Sequence, residues 1–251
     1  MSQKKPHIKP DKKGPGSAAS WIAAAVLIAG VAVIAGFYFE KNTVITGVEF
    51  SGNYFTADEE LLGVIPSPVG LMADSVNYSE LFTLLATLPY VTHASASMNI
   101  RGRLSFHITE HEPIAMLVQG SQRVYAAKGG IRLPVVPEKM VNVPLVYGFS
   151  ASPVSDTLQS NAWKSMEEFL STARNSRLAW ITISEVAWNE REGVVALTHE
   201  NGVRLVFGHS DFERSVGNWE AFYSDVVARK GIRSFNSIDL RFRDQIVTRE
   251  S

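Results

Sequence analysis

The chain has 251 residues, with 24 Lys and Arg against 25 Asp and Glu and a net charge of −1. That balance excludes a basic nucleic-acid-binding character for the chain as a whole. There is no cysteine, so a disulfide framework and thiolate chemistry are excluded as well.

Charge is unevenly placed. Residues 1–17 hold five lysines against Asp11, a net +4, and leave −5 for the rest. Their Lys, Pro and Gly content cannot build a core, so this tail is expected to be disordered. Residues 18–39 then read A-A-S-W-I-A-A-A-V-L-I-A-G-V-A-V-I-A-G-F-Y-F, without a charge. As a helix this run is about 33 Å long, enough for the roughly 30 Å hydrocarbon core of a bilayer. Trp21 at one end and Phe37, Tyr38 and Phe39 at the other stand where interfacial aromatic anchors belong. The basic flank predicts a cytoplasmic N-terminus and an extracytoplasmic body of about 212 residues. A cleaved signal peptide is the rival reading, with Val33-Ile34-Ala35 as a poor cleavage site. The apolar run exceeds the roughly 7–15 residues of a signal peptide, so an uncleaved single-pass anchor is expected.

Beyond the run, Thr43 to Gly52 predicts a strand. Thr56 with Glu59 reads as a capping box opening a short helix, and Asn77 with Glu80 opens a second. In that second helix Tyr78, Leu81, Leu84, Leu85 and Leu88 recur at helical spacing before Pro89. Val91 to Ile100 and Leu104 to Ile108 alternate with period two around a turn at Arg101-Gly102-Arg103. The order is strand, helix, helix, strand, strand, a small α+β unit.

Pro113 marks a boundary, and the remainder is predicted to be mostly β. Arg123 to Ala127 and Ile131 to Val135 flank a Lys128-Gly129-Gly130 turn. A helix around Asn161 to Arg174 aligns Trp163, Met166, Phe169 and Leu170. A strand is expected over Ile181 to Trp188, and a hairpin joins Val194–His199 to Val203–Phe207 through Asn201-Gly202. Ser210 with Glu213 predicts a cap for a helix running to about Lys230, burying Phe212, Val216, Trp219, Phe222, Tyr223 and Val226 and ending at Gly231. Two β-like pieces close the chain, Ser237 to Phe242 and Gln245 to Arg249. A terminal strand is expected at a sheet edge, where unpaired backbone groups are either blunted by charge or used to bind a partner strand.

One catalytic pattern occurs: His107, Glu110 and His111 spell H-x-x-E-H, the inverted zinc-protease motif. It needs a helix, whereas L-S-F-H-I-T-E-H-E-P alternates like a strand. There the two His residues sit about 13 Å apart, too far for one tetrahedral ion. The metal reading is set aside, no cofactor is implied, and nothing else in the chain reads as an active site.

Several short stretches carry a resemblance: G-V-E-F-S-G-N-Y-F at 47–55, L-P-Y-V at 88–91, I-T-E-H-E-P-I-A at 108–115, L-T-H-E-N-G-V-R-L-V-F-G at 197–208 and S-I-D-L-R-F at 237–242. In this order, behind a membrane anchor, the chain resembles the FtsQ/DivIB family of bacterial cell-division proteins. It departs at Ile100-Arg101-Gly102, where many relatives carry Trp-Pro. The resemblance implies an α+β fold in four parts. These are a cytoplasmic tail (1–17), a transmembrane helix (18–39), a POTRA domain of β-α-α-β-β order (40–112), and a mostly antiparallel β domain with two flanking helices (113–251). It also implies a non-enzymatic divisome scaffold in the inner membrane at the septum. The partners would be FtsB/DivIC- and FtsL-type coiled-coil proteins, with further divisome membrane proteins on the POTRA side. A partner strand would add to the last β-strand. Arg241 would then meet a partner carboxylate, Phe242 would pack on apolar side chains, and Gln245, Ile246 and Val247 would lie on the backbone edge. Arg191 would be a second basic contact. The alternative is a POTRA-containing accessory of protein secretion or outer-membrane assembly. The chain after Pro113 has too few strands for a lipid-facing barrel of its own.

Overall fold

The computed structural model describes residues 21–31, 33, 43–154 and 156–251. Residues 21–31 are helical, with exposed apolar side chains from Trp21 to Val31. Phe37, Tyr38 and Phe39 lie outside the described residues, as does the whole expected tail at 1–17. Among the described residues no helix is long and apolar enough to cross a membrane.

The first sheet has three strands, β1 (Gly47–Ser51), β2 (Val91–Met98) and β3 (Arg103–Glu110), in the order β1-β3-β2. β1 runs parallel to β3, and β2 antiparallel to it. Helices α1 (Asp58–Val64) and α2 (Tyr78–Leu85) lie between β1 and β2 in the chain. The period-two residues Leu104, Phe106 and Ile108 meet Leu61, Leu81 and Leu85 in one core. Asn77 caps α2 as expected, its Oδ1 accepting from the Glu80 N–H. At α1 the cap lies one residue later than expected. Ala57 is the N-cap, and Glu60 reaches back to its N–H. The first helical bond runs from Leu61 N–H to Ala57 O, and the Thr56 N–H that Glu59 would take in the expected box is held by Glu110 instead. Ile100 does not continue the β2 alternation; it sits in the turn and is 91% exposed.

The second sheet has nine strands in the order β12-β11-β10-β9-β8-β7-β4-β5-β6. Two strands absent from the sequence reading complete it, β4 (Pro113–Gln119) and β7 (Leu145–Tyr147). The others are β5 (Gln122–Ala127), β6 (Arg132–Leu133), β8 (Ile183–Asn189), β9 (Gly193–Thr198), β10 (Arg204–Gly208), β11 (Phe235–Asp239) and β12 (Val247–Glu250). The sheet is mixed: β4–β7, β7–β8 and β10–β11 are parallel. Parallel neighbours need long crossovers, and helices supply two of them. α3 (Asn161–Asn175) and α4 (Arg177–Thr182) join β7 to β8, and α5 (Phe212–Phe222) with its extension joins β10 to β11. Trp163, Met166, Phe169 and Leu170 of α3 and Phe212, Val216 and Trp219 of α5 share one core with Leu117, Val146, Leu205 and Ile238 of the sheet.

Three local expectations change here. Ile181 and Thr182 are helical, not strand. Ser176 caps α4 by accepting from the Ala179 N–H, and the Thr182 hydroxyl donates to Leu178 O and accepts from Trp219 Nε1. These long-range and capping bonds override the strand preference of Ile-Thr-Ile. Ser210 does not cap α5. Asp211 is the N-cap in a left-handed conformation, and its carboxylate binds Arg214 Nε. After Phe222 a π turn (Tyr223–Val227) inserts an extra residue per turn, so Val227 is buried while Tyr223 and Val226 are only partly covered.

The two sheets meet through an aromatic seam. Phe55 stacks on Tyr90 with ring centroids 4.3 Å apart, and both join Met116, Tyr125 and Leu133. The Tyr90 hydroxyl donates to Pro134 O at 2.5 Å, and Lys139 Nζ donates to Phe55 O at 3.3 Å. Arg174 and Glu112 form an ion pair across the same junction.

Candidate partner-binding edge

Of the residues expected in recognition, all but Arg191 lie at or next to the β12 end of the large sheet. β12 pairs antiparallel with β11, Val247 opposite Asp239 and Arg249 opposite Ser237, and among the described residues has no strand on its other side. An edge strand turns alternate N–H and C=O groups outward, which offers a template for one more strand. The strand is held down at its far end. Lys230 Nζ pairs with Glu250 at 2.9 Å, Asn236 donates to Glu250 O, and Ser251 N donates to Ser234 O.

The two expected terminal strands are shorter than the sequence suggested. The β11 ladder ends at Asp239, after which the Leu240 N–H still donates to Val206 O and the Leu240 side chain is fully buried. Arg241 and Phe242 then leave the ladder. The Arg241 fork closes on Asp239, Nε to Oδ1 at 2.9 Å and Nη2 to Oδ2 at 2.6 Å. From α5, Arg214 Nη1 and Asn218 Nδ2 both donate to Phe242 O. These bonds hold residues 241 and 242 in a loop. Gln245 and Ile246 also precede the strand, and Ile246 packs against the main core, so of the expected edge residues only Val247 lies in β12. Two apolar side chains stay open beside the exposed Arg249 and Glu250: Phe242 is 42% and Val247 45% exposed.

Beside the edge is a groove of about 450 Å³, on the sheet face away from the helices, bordered by Glu192, Arg204, Val206, Asp239, Arg241, Val247 and Arg249. Pairing register explains the grouping. Val195, Val206, Asp239 and Val247 lie side by side across four strands, and so do Leu197, Arg204, Ser237 and Arg249. Arg204 is paired with Glu192 and Arg241 with Asp239. Arg249 has no ion partner among the described residues, so the groove carries an excess positive charge. Among the described residues Arg241 Nη1 has no partner, and the guanidinium carbon lies 5.8 Å from the Phe242 ring centroid. Arg191 is on the exposed β8–β9 turn, its N–H bound to Asn189 Oδ1 at 2.9 Å, and it does not border the groove. The turn can approach closely because Gly193 backs directly onto Gly208. A Cβ at Gly193, whose φ is +75°, would fall 2.1 Å from Gly208 O.

Glu192 and Asn218 carry no signal in the sequence reading, and Asp239 and Arg204 stand there only inside matched stretches, without a role at the edge. The D-x-R spacing of Asp239 and Arg241 could have revealed the pair, since residues two apart on a strand share a face. Burial raises the Asp239 carboxyl, but hydrogen bonds and charge from Arg241, with Arg204 nearby, outweigh it and hold the carboxyl below its ordinary value of 3.8. A depressed folded pKa stabilises above the unfolded value, and that contribution is lost as pH falls through the folded one. The Arg241 loop is therefore expected to stay closed at neutral pH and to loosen only below about 3.8. Amide NMR shifts of residues 240–242 through an acid titration check this, and a midpoint above the ordinary aspartate value contradicts it.

The H-x-x-E-H stretch lies on β3 and just past its end. His107 Nδ1 contacts Ser51 Oγ at 3.2 Å, while the His111 N–H donates to Tyr90 O. Glu110 is committed elsewhere, accepting from the N–H groups of Tyr54, Phe55 and Thr56 at 2.7, 2.7 and 2.8 Å.

Comparison with known proteins adds a family. The sequence model described as FtsQ/DivIB, C-terminal related, matches residues 112–249. A Cell division protein FtsQ from Salinibacter ruber is 24% identical over 234 residues, covering 89% of this chain and 90% of the relative. Another from Rhodothermus marinus is 25% identical over 236 residues, covering 90% and 86%. Among solved structures, the major extracytoplasmic domain of the cell division protein DivIB from Geobacillus stearothermophilus aligns with 48% of this chain and 98% of its own, at 14% identity and a TM-score of 0.33.

Proposed function

Because the chain belongs to the FtsQ/DivIB family, we propose that it is a non-enzymatic scaffold of bacterial cell division, anchored in the inner membrane by residues 18–39 with its body outside. Residues 40–112 would be its POTRA domain and 113–251 its β domain. The separate sheets and cores support that division. The partners would be FtsB/DivIC- and FtsL-type ectodomains, one of which adds a strand to β12.

The observation that carries this reading is the unpaired β12 edge, flanked by exposed Phe242 and Val247 and by a groove with excess positive charge. Backbone bonds along the edge would give affinity, the two apolar side chains would anchor the incoming strand, and the groove would favour an acidic partner segment. Arg249 and Glu250 guard the outer half of the strand by charge, and Val247 with Phe242 leaves the inner half open to a partner.

The test is a titration of residues 43–251 with the FtsB/DivIC–FtsL-type ectodomain pair of the same organism. It is run beside a variant ending at Ile246, which removes β12 and leaves the core contact of Ile246 in place. The full body is expected to bind and the shortened one not to, with both folded. Equal binding by both would move the site away from β12. Binding by neither would remove the partner assignment.

A further inference from the structure

The N-terminal unit has a second exposed apolar surface that partner addition at β12 does not use. Val44, Val69, Leu71 and Met72 are 46%, 50%, 48% and 44% exposed, and Ile100 is 91% exposed. Single exposed apolar side chains are ordinary. These five sit on three segments that the backbone binds together. Val44 bridges Met72, Ile45 N donates to Leu71 O at 2.9 Å, and Ala73 N donates to Thr43 O at 3.0 Å. On the other side of the same segment Thr46 N donates to Gly102 O at 2.8 Å, bringing in the turn that carries Ile100. The result is one patch.

Chain length says what faces it. The uncharged run ends at Phe39, five residues before Val44. Fully extended, five residues reach at most about 18 Å. Resting on the proposed membrane anchor, we infer that this end of the unit sits on the lipid surface of the outer leaflet, with Ile100, Leu71, Met72, Val69 and Val44 entering the interface. Side chains of this kind bury about 5–10 Å into the headgroup and acyl boundary. The nearby charges suit headgroup level. Arg101 is exposed and has no ion partner among the described residues, Arg103 is paired with Glu49, and Asp74 is exposed beside Met72. The contact would fix the tilt of the body over the membrane and so the height at which β12 is presented.

The chain has no cysteine, so single spin labels report without background. The full chain is reconstituted in phosphatidylcholine vesicles, with and without phosphatidylglycerol, as four variants: Ile28→Cys, Leu71→Cys, Ile100→Cys and Ile181→Cys. Ile181 is 65% exposed on α4 and serves as the solvent reference. Accessibility to oxygen relative to a water-soluble nickel chelate is then compared. Labels at 71 and 100 are expected to show a ratio several-fold above that at 181. If the label at 28 is embedded while those at 71 and 100 match 181, the surface contact is overturned and the anchor stands. If the label at 28 is itself water-exposed, the anchor reading fails and this inference falls with it.

Discussion

Replacing Glu110 with alanine is expected to cost about 3 kcal/mol of stability, the largest effect of any surface-accessible substitution in the N-terminal unit. Its carboxylate accepts three consecutive backbone N–H groups, those of Tyr54, Phe55 and Thr56, all within 2.8 Å. Hydrogen bonds to a charged group contribute about 1.5–3 kcal/mol each, though three on one carboxylate do not simply add. Removing the acceptor also leaves partly buried donors without a partner. The damage should spread, because Phe55 stacks on Tyr90 and lies against Tyr125 in the seam between the two sheets. For a body of this size, a loss of that order lowers Tm by roughly 6–12 °C. Glu110→Gln keeps the shape and one acceptor oxygen, and should lose about half as much. Thermal melts and hydrogen exchange of amides 54–56 check the pair. A melting temperature unchanged in Glu110→Ala would show that water replaces the carboxylate at no cost.

Arg241→Glu should weaken partner binding by about 2–3 kcal/mol, roughly 30- to 150-fold in Kd, and cost the free protein a smaller amount of stability through the broken pair with Asp239. The asymmetry follows from exposure. The Arg241 and Asp239 side chains are 34% and 19% accessible, so in the free chain solvent still screens part of the pair. In a complex, strand addition at β12 would exclude water from the same groove and raise the weight of every charge in it. The reversed residue would put a third carboxylate beside Asp239 and Glu192, against any acidic partner segment. Arg241→Lys keeps the charge without the two-pronged fit to Asp239, and should fall between the two. Calorimetric titration and melting of all three proteins separate the effects. Loss of stability with affinity unchanged would make Arg241 an ordinary edge charge.

Local pattern was enough for much of the architecture. The order strand, helix, helix, strand, strand, the apolar stripe of α3 and the Asn201-Gly202 hairpin all depend on neighbours within one turn or one strand pair. Asn201 and Gly202 both adopt positive φ, 65° and 59°, as that turn demands. The uncharged run at 18–39 and its basic flank likewise belong to sequence alone. Long-range partners decided the rest. Ile181 and Thr182 joined a helix because Ser176 caps it and Trp219 reaches Thr182 from α5. The box expected from Thr56 and Glu59 did not form because Glu110, more than fifty residues away, holds the Thr56 N–H that Glu59 would have bound. Arg241 and Phe242 left the ladder because Asp239 on one side and Arg214 and Asn218 on the other held them out of it. Strand order is the clearest case. Nothing in the composition of β4 or β7 tells which strands they will pair with, since backbone hydrogen bonding is common to all residues. Only the packed helices, by covering one face and forcing parallel crossovers, leave β12 at the edge with Val247 open.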